Sequence, residues 1–223
     1  MREARIIRND KLGKLDIDID KDAVSHYLGY SRKKGKEPPQ NILQIIEEEV
    51  NRGYELFKPQ GVYRWIKIYR FIREEEVELE EGQIFKFTKS VMEQLKGATY
   101  LLVGVVTIGD FLEKKVAELF SQTEYVRALA LDAVGSVAVE DFSRKVRKLA
   151  RQEAIEQGFK VSRRHYSPGY GGWEVSQQRV IFQIISPDSI GVKLTEGNMM
   201  FPQKSLSWVM GVDQEITADS LEN

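Results

Sequence analysis

Hydrophobic and polar positions follow two rhythms along this chain, one of strands and one of helices. Ile42, Ile45, Ile46 and Val50 recur at helical spacing, predicting a helix from Ile42 to about Arg52 with Asn41 as its cap and Gly53 as its end. From Gly61 the stretch VYRWIKIYRFI alternates imperfectly, but its β-branched and aromatic content predicts a strand. EVELEEGQIFKF predicts two short strands around a turn at Glu81 and Gly82. Residues 98–109, ATYLLVGVVTIG, are almost continuously apolar over a strand's length, the signature of a strand covered on both faces.

Helical spacing returns after Asp110, taken as the cap of a helix near Phe111 to Phe120. A second helix is predicted from about Ser121 to Gln157, with Gly158 as terminator. Its first half, ALALDAVGSVAV, is apolar nearly all round, as in a buried helix, and SRKVRKLARQEAIEQ is amphipathic. Residues 159–223 predict a short strand, a Gly/Pro loop, a helix around Val175 to Ile185 and further short strands. The fold class expected is α+β, a mostly antiparallel sheet with helices packed on it. One domain over residues 1–223 is expected, with residues 1–60 as an N-terminal helical and loop extension: a short helical turn, then a basic connector ending at Pro38 and Pro39.

Composition narrows the chemistry. The chain has 223 residues, 42% of them hydrophobic, enough for a sizeable core. Thirty-three basic and 34 acidic residues leave a formal charge of -1, so no global field draws it to nucleic acid or an anionic membrane. Without cysteine there is no disulfide, thiolate metal site or cysteine nucleophile, and with two histidines a protein-ligated zinc site would need carboxylates for most of its ligands. The opening MREARIIRND lacks the apolar run of ~7 to 15 residues of a secretory signal, and no ~18-residue apolar run suggests a membrane span. A cytoplasmic location is expected.

Three segments carry candidate chemistry. In SRRHYSPGYGGW, residues 162–173, Gly169, Gly171 and Gly172 permit close backbone approach to a ligand. Arg163, Arg164 and His165 can pair with an anion, while Tyr166, Tyr170 and Trp173 can stack on a flat ring or attract a cation. This suits a ligand with a carboxylate, an aromatic base and a positive centre; the same loop could instead be an aromatic-rich turn packed on the sheet. Glu140 projects within about 20° of the line through Leu129 and Ala133, on an otherwise apolar helix face. Either it meets a cation, a hydroxyl donor or a ligand, or the helix emerges into solvent there, as Arg144, Lys145, Arg147 and Lys148 would suggest. In the third segment, residues 190–212, Met199, Met200 and Phe201 read as ordinary core. Phosphate-loop and dinucleotide-binding glycine spacings are absent.

RRHYSPGYGGW followed by IGVKLTEGNMMFPQKSLSWV resembles the C-terminal activation domain of cobalamin-dependent methionine synthase. That family has an Arg near a small-residue-Pro-Gly-Tyr turn, then Ile-Gly-x-Lys-Leu-Thr-Glu-Ser and Pro-x-x-Ser-x-Ser. The resemblance extends more weakly through VVTIGDFLEKKVAELF and VEDFSRKVRK, covering residues 90–212; the first 60 residues match poorly. It implies a C-shaped domain with a central twisted antiparallel sheet flanked by helices and a shallow S-adenosylmethionine site. Glu140 would face the methionine amino group, and Ser167, Gly169 and Tyr170 would form the loop contact. Strict spacing from the glycine puts the family's ligand-binding Arg on His165, with Arg164 one place earlier, so either could meet the donor carboxylate. The family's later Tyr contact has no clear counterpart near Met210. No residue is implied as a general acid or base.

The chain is too short for homocysteine, folate and cobalamin domains, so the resemblance implies a partner that brings the cobalamin. That partner would be a cobalamin-dependent methionine synthase lacking its own activation domain, with a flavodoxin-type electron donor. Two other functions fit the same residues: a non-catalytic adaptor that docks on a corrinoid protein, and a methyltransferase acting on another substrate.

Overall fold

The computed structural model describes residues 5–8, 17–31 and 35–214. The signal-free N-terminus expected above falls mostly outside the described residues, as do residues 32–34 of the basic connector. In chain order the elements are β1 (Arg5–Arg8), α1 (Lys21–Tyr27), α2 (Gln40–Leu56), β2 (Gln60–Arg73), β3 (Glu76–Leu79) and β4 (Ile84–Lys86). Then come α3 (Lys89–Leu95), β5 (Tyr100–Thr107), α4 (Phe111–Ser121), α5 (Tyr125–Glu156), β6 (Phe159–Val161), α6 (Gln178–Ile185), β7 (Lys193–Leu194), β8 (Met200–Phe201) and β9 (Ser205–Gln214).

The architecture is α+β, with an antiparallel sheet flanked by helices. Six strands run in the order β4-β3-β2-β5-β9-β6, and β1 pairs with the first residues of β2. β2 is 14 residues long because it serves two partners on one edge, β1 along Gln60–Tyr63 and β3 along Ile68–Arg73. Its imperfect alternation has a physical cause. Tyr63 and Trp65 enter one core and Val62, Ile66 and Ile68 the other, so neither face could be polar. β5 is likewise buried on both faces, with only Tyr100 partly open.

The two cores lie on opposite faces of the sheet. One gathers Leu102, Val106 and Trp208 from the strands under α2, α4 and α5. The other gathers Leu101, Val103, Val105 and Val209 with residues of α3 and α6. Small residues in the first half of α5, Ala128, Ala130, Ala133 and Ala138 among them, let neighbouring elements approach closely. Residues before position 61 belong to this packing: Ile19, Val24, Ile46 and Val50 sit in the first core. Arg127 of α5 donates to Glu48 at 2.5 Å and to the fully buried Glu49 at 2.7 Å, tying α5 to α2.

Several boundaries differ from the sequence expectation. α2 is capped by Pro39 rather than Asn41 and runs through Gly53 to Leu56. Gly53 faces α5, where an added Cβ would lie 2.7 Å from Val134, so it serves helix packing instead of ending the helix. Asp110 is the N-cap residue of α4 as expected, but its side chain bonds no helix amide and pairs with Lys114 at 2.6 Å instead. α4 and α5 are separated at Thr123, whose φ of 63° breaks the helical path, so α5 starts at Tyr125 and not Ser121. α3 was unforeseen, and the short strands expected in residues 190–212 include β9, ten residues long and central in the sheet. Met199 and Phe201 are not core: 62% and 50% exposed, they lie on the β7–β8 hairpin.

Candidate functional site

A short β6 is extended by hydrogen bonds from the following loop. Ser162 N donates to Gly211 O at 2.9 Å, and Tyr166 and Val209 exchange amide bonds at 2.9 and 2.8 Å. Ser167 Oγ donates to Ser207 O at 2.7 Å. Pro168 has no N–H to continue this edge pairing, so the chain leaves the sheet there. It turns through Gly169, Gly171 and Gly172, with φ of 91°, 59° and 78°, which side chains with a Cβ rarely adopt.

Trp173 closes the turn and holds it down. It is buried, its Nε1 donates to Lys86 O at 2.6 Å, and its ring stacks 4.8 Å from Phe87 and 5.8 Å from Phe85. It therefore anchors the loop, and it also forms part of the cleft lining. The amides of Gly169, Tyr170 and Trp173 are used within the turn, donating to Trp173, Ser167 and Tyr170 carbonyls respectively.

Between this loop, the middle of α5, the start of α3 and the segment leading into α1 opens a cleft of about 1120 Å³. Its volume lies at or above the roughly 300 to 1000 Å³ usual for small-molecule sites. Charge is divided within it. Asp18, Asp20 and Glu140 lie among its acidic residues and Arg147, Arg144 and His165 among its basic ones. The buried Ser207 Oγ has no hydrogen-bond partner among the described residues. A buried hydroxyl in that state favours a polar ligand, since leaving it unmade costs about 1–3 kcal/mol.

Of the residues expected from sequence, the cleft brings together Glu140, His165, Tyr166, Ser167, Tyr170 and Trp173. Arg164 is exposed and does not line it, and Gly171 is at its wall instead of Gly169. Glu140 is exposed and accepts a hydrogen bond from Tyr27 Oη at 2.7 Å, so a hydroxyl donor from α1 meets the carboxylate. Tyr170 is 70% exposed at the cleft. Burial, and then the positive charge of Arg147, push the His165 imidazole below its ordinary value, although its surface remains open to solvent.

Arg147 is the cleft residue whose position the sequence carried without its meaning being read. It follows Glu140 by seven residues, two helical turns on the same face of α5. Asp18, Asp20 and Tyr27 lie over a hundred residues earlier, and only folding brings them here. Burial would raise the Asp141 carboxyl, but the Asp18 amide, donating at 2.9 Å, together with Lys145 and Arg144 holds it below the usual range. That bond pins the N-terminal segment along the cleft wall.

Glu140 also sets the ionisation of Tyr27. The hydrogen bond to its carboxylate, with burial and the neighbouring negative charges, pushes Tyr27 up to about 12. A raised folded-state pKa means that this contribution is intact below 10 and is lost as pH rises through about 12. Glu140→Gln is expected to return Tyr27 toward 10, read as an earlier phenolate absorbance step in alkaline titration. An unchanged step would show that the two side chains do not meet in solution.

Among the described residues no helix is long and apolar enough to cross a membrane, and no group of three or more His, Asp or Glu side chains is arranged to hold a metal ion. The fold is similar to that in the crystal structure of the MetH reactivation domain bound to AdoHcy, with a TM-score of 0.70 over 96% of this chain and 79% of that chain. Sequence identity is 14%, so the likeness establishes the fold. No protein-family model and no curated protein matches the chain.

Proposed function

We propose that this protein binds S-adenosylmethionine in the cleft beside α5 and supports the reductive remethylation of cob(II)alamin on a separate cobalamin-dependent methionine synthase that lacks its own activation domain. The observation that carries the reading is the division of charge in this cleft, within a fold whose solved relative is described as bound to AdoHcy. The donor's amino-acid end is a zwitterion, its adenine is flat, and the cleft offers carboxylates, cations and aromatic side chains to each.

When bound, S-adenosylmethionine supplies a sulfonium methyl group; the corrinoid and an electron from a flavodoxin-type protein come with the partner. The residues of this chain orient. Glu140 is placed to accept from the donor's ammonium, with Tyr27 able to yield or share the carboxylate. Ser167 and the glycine turn shape the wall, and exposed Tyr170 is available to the adenosine. Fixing the methyl in line with an acceptor can lower a barrier by up to ~7 to 11 kcal/mol, without any acid or base from this chain.

Titration calorimetry with S-adenosylmethionine and AdoHcy is expected to show binding, and Glu140→Ala to weaken it about 30-fold, as for loss of a charge-assisted hydrogen bond. Absence of binding even with the corrinoid partner present would sink the proposal. Docking on that partner without stimulated remethylation would indicate an adaptor, and methyl transfer without corrinoid a different methyltransferase.

A further inference from the structure

We infer that Arg147, on α5 two turns beyond Glu140, is the cation that takes the carboxylate of the ligand's amino-acid end, so that one helix face holds both charges of the zwitterion. This rests on the reading that the cleft binds S-adenosylmethionine. Three basic side chains line the cleft, and the surroundings of the other two make them poorer partners for a carboxylate. Arg144 is ion-paired with Asp141. His165 is held below its ordinary pKa by burial and by Arg147, so at neutral pH it lacks the charge to pair with a carboxylate.

Arg147 differs from both. Its guanidinium is half-buried, and among the described residues no carboxylate stands within ion-pair distance of it. One Nη donates to Ser143 Oγ at 2.6 Å, and Ser143 is fully buried, so the base of the fork is fixed while its remaining donors are available. A half-buried cation with no carboxylate in ion-pair distance, and Glu140 acting on it only from farther off, is a site for an anion. Seven residues of helix span about 10.5 Å along the axis, so the two side chains rise from one face two turns apart.

The sequence positions of Arg163 and Arg164 make them the obvious candidates, but Arg164 does not line the cleft. The loop's role is then to shape the wall, and the charged grip on the amino-acid end comes from the helix.

The test compares AdoHcy with its decarboxylated form, S-adenosyl-3-thiopropylamine, by titration calorimetry on the full chain. Arg147→Gln is expected to weaken AdoHcy about 30-fold and leave the decarboxylated ligand unchanged. Arg147→Lys, which keeps the charge but not the fork, should recover part of the loss. Arg164→Gln should leave both ligands unchanged. A thermal melt of each variant separates a folding defect from a binding one. The inference is overturned if Arg147→Gln weakens both ligands equally, or if Arg164→Gln produces the carboxylate-specific loss. Binding of neither ligand to the unaltered protein would instead overturn the reading of the cleft, and this inference with it.

Discussion

Trp173→Ala is expected to lower unfolding free energy by about 3–5 kcal/mol, the range for removing a buried aromatic side chain. Three losses combine at this site. The indole leaves the stack with Phe85 and Phe87, Lys86 O loses its donor, and the glycine turn loses its attachment to the β4–α3 segment. Because Thr88 and Ser90 of that segment and Gly171 of the loop share the cleft wall, ligand affinity should fall with stability. Urea denaturation followed by ligand titration under folding conditions measures both. Trp173→Phe keeps a ring but not the Nε1 donor, and should cost about 1–3 kcal/mol, since a buried carbonyl is left unmade. Equal stability of the Ala variant and the unaltered protein would mean that the loop is not anchored here.

Gly104→Ala is expected to cost about 3 kcal/mol or more, at or beyond the upper end for overpacked cores. Gly104 on β5 stands directly opposite Trp208 on β9, and the Trp208 indole lies over it. A Cβ at position 104 would come within 2.2 Å of the ring, which is fully buried and has nowhere to move. The sheet must open or the indole must leave its rotamer. A double variant, Gly104→Ala with Trp208→Leu, should lose less than the sum of the single losses, because the smaller side chain vacates the space the methyl needs. Additive losses in chemical denaturation would show that the glycine serves another purpose.

The site was legible in the sequence unevenly. Glu140 stood out as a carboxylate on an apolar helix face, and both readings of it hold in part: it meets the Tyr27 hydroxyl, and the helix is open to solvent there. The 162–173 loop stood out by its glycines and aromatics, but composition could not divide them into roles. Trp173 packs into the core and Tyr170 stands exposed, yet both line the cleft within four residues of each other. Arg164 and His165 could not be ranked by spacing, since a residue's direction in an irregular loop follows from which carbonyls its neighbours bond. Here the bonds of Tyr166 and Ser167 to β9 set that direction.

Periodicity, a local property, determined the element types: α5 as the long helix, buried in its first half, β5 as a strand covered on both faces, and therefore the α+β class. Element ends were less accessible, because packing overrode local punctuation. Gly53 continues α2 where a helix neighbour needs room, and Thr123 breaks α4 from α5 with a residue no breaker rule singles out. Only the tertiary structure decided which charges meet. Asp18, Asp20 and Tyr27 reach the Glu140 face of α5 across more than a hundred residues of chain. Arg144 and Arg147, three apart, both line the cleft, but Arg144 finds Asp141 and Arg147 only the Ser143 hydroxyl. That difference is set by what packs around the helix, and a sequence records the helix without its surroundings.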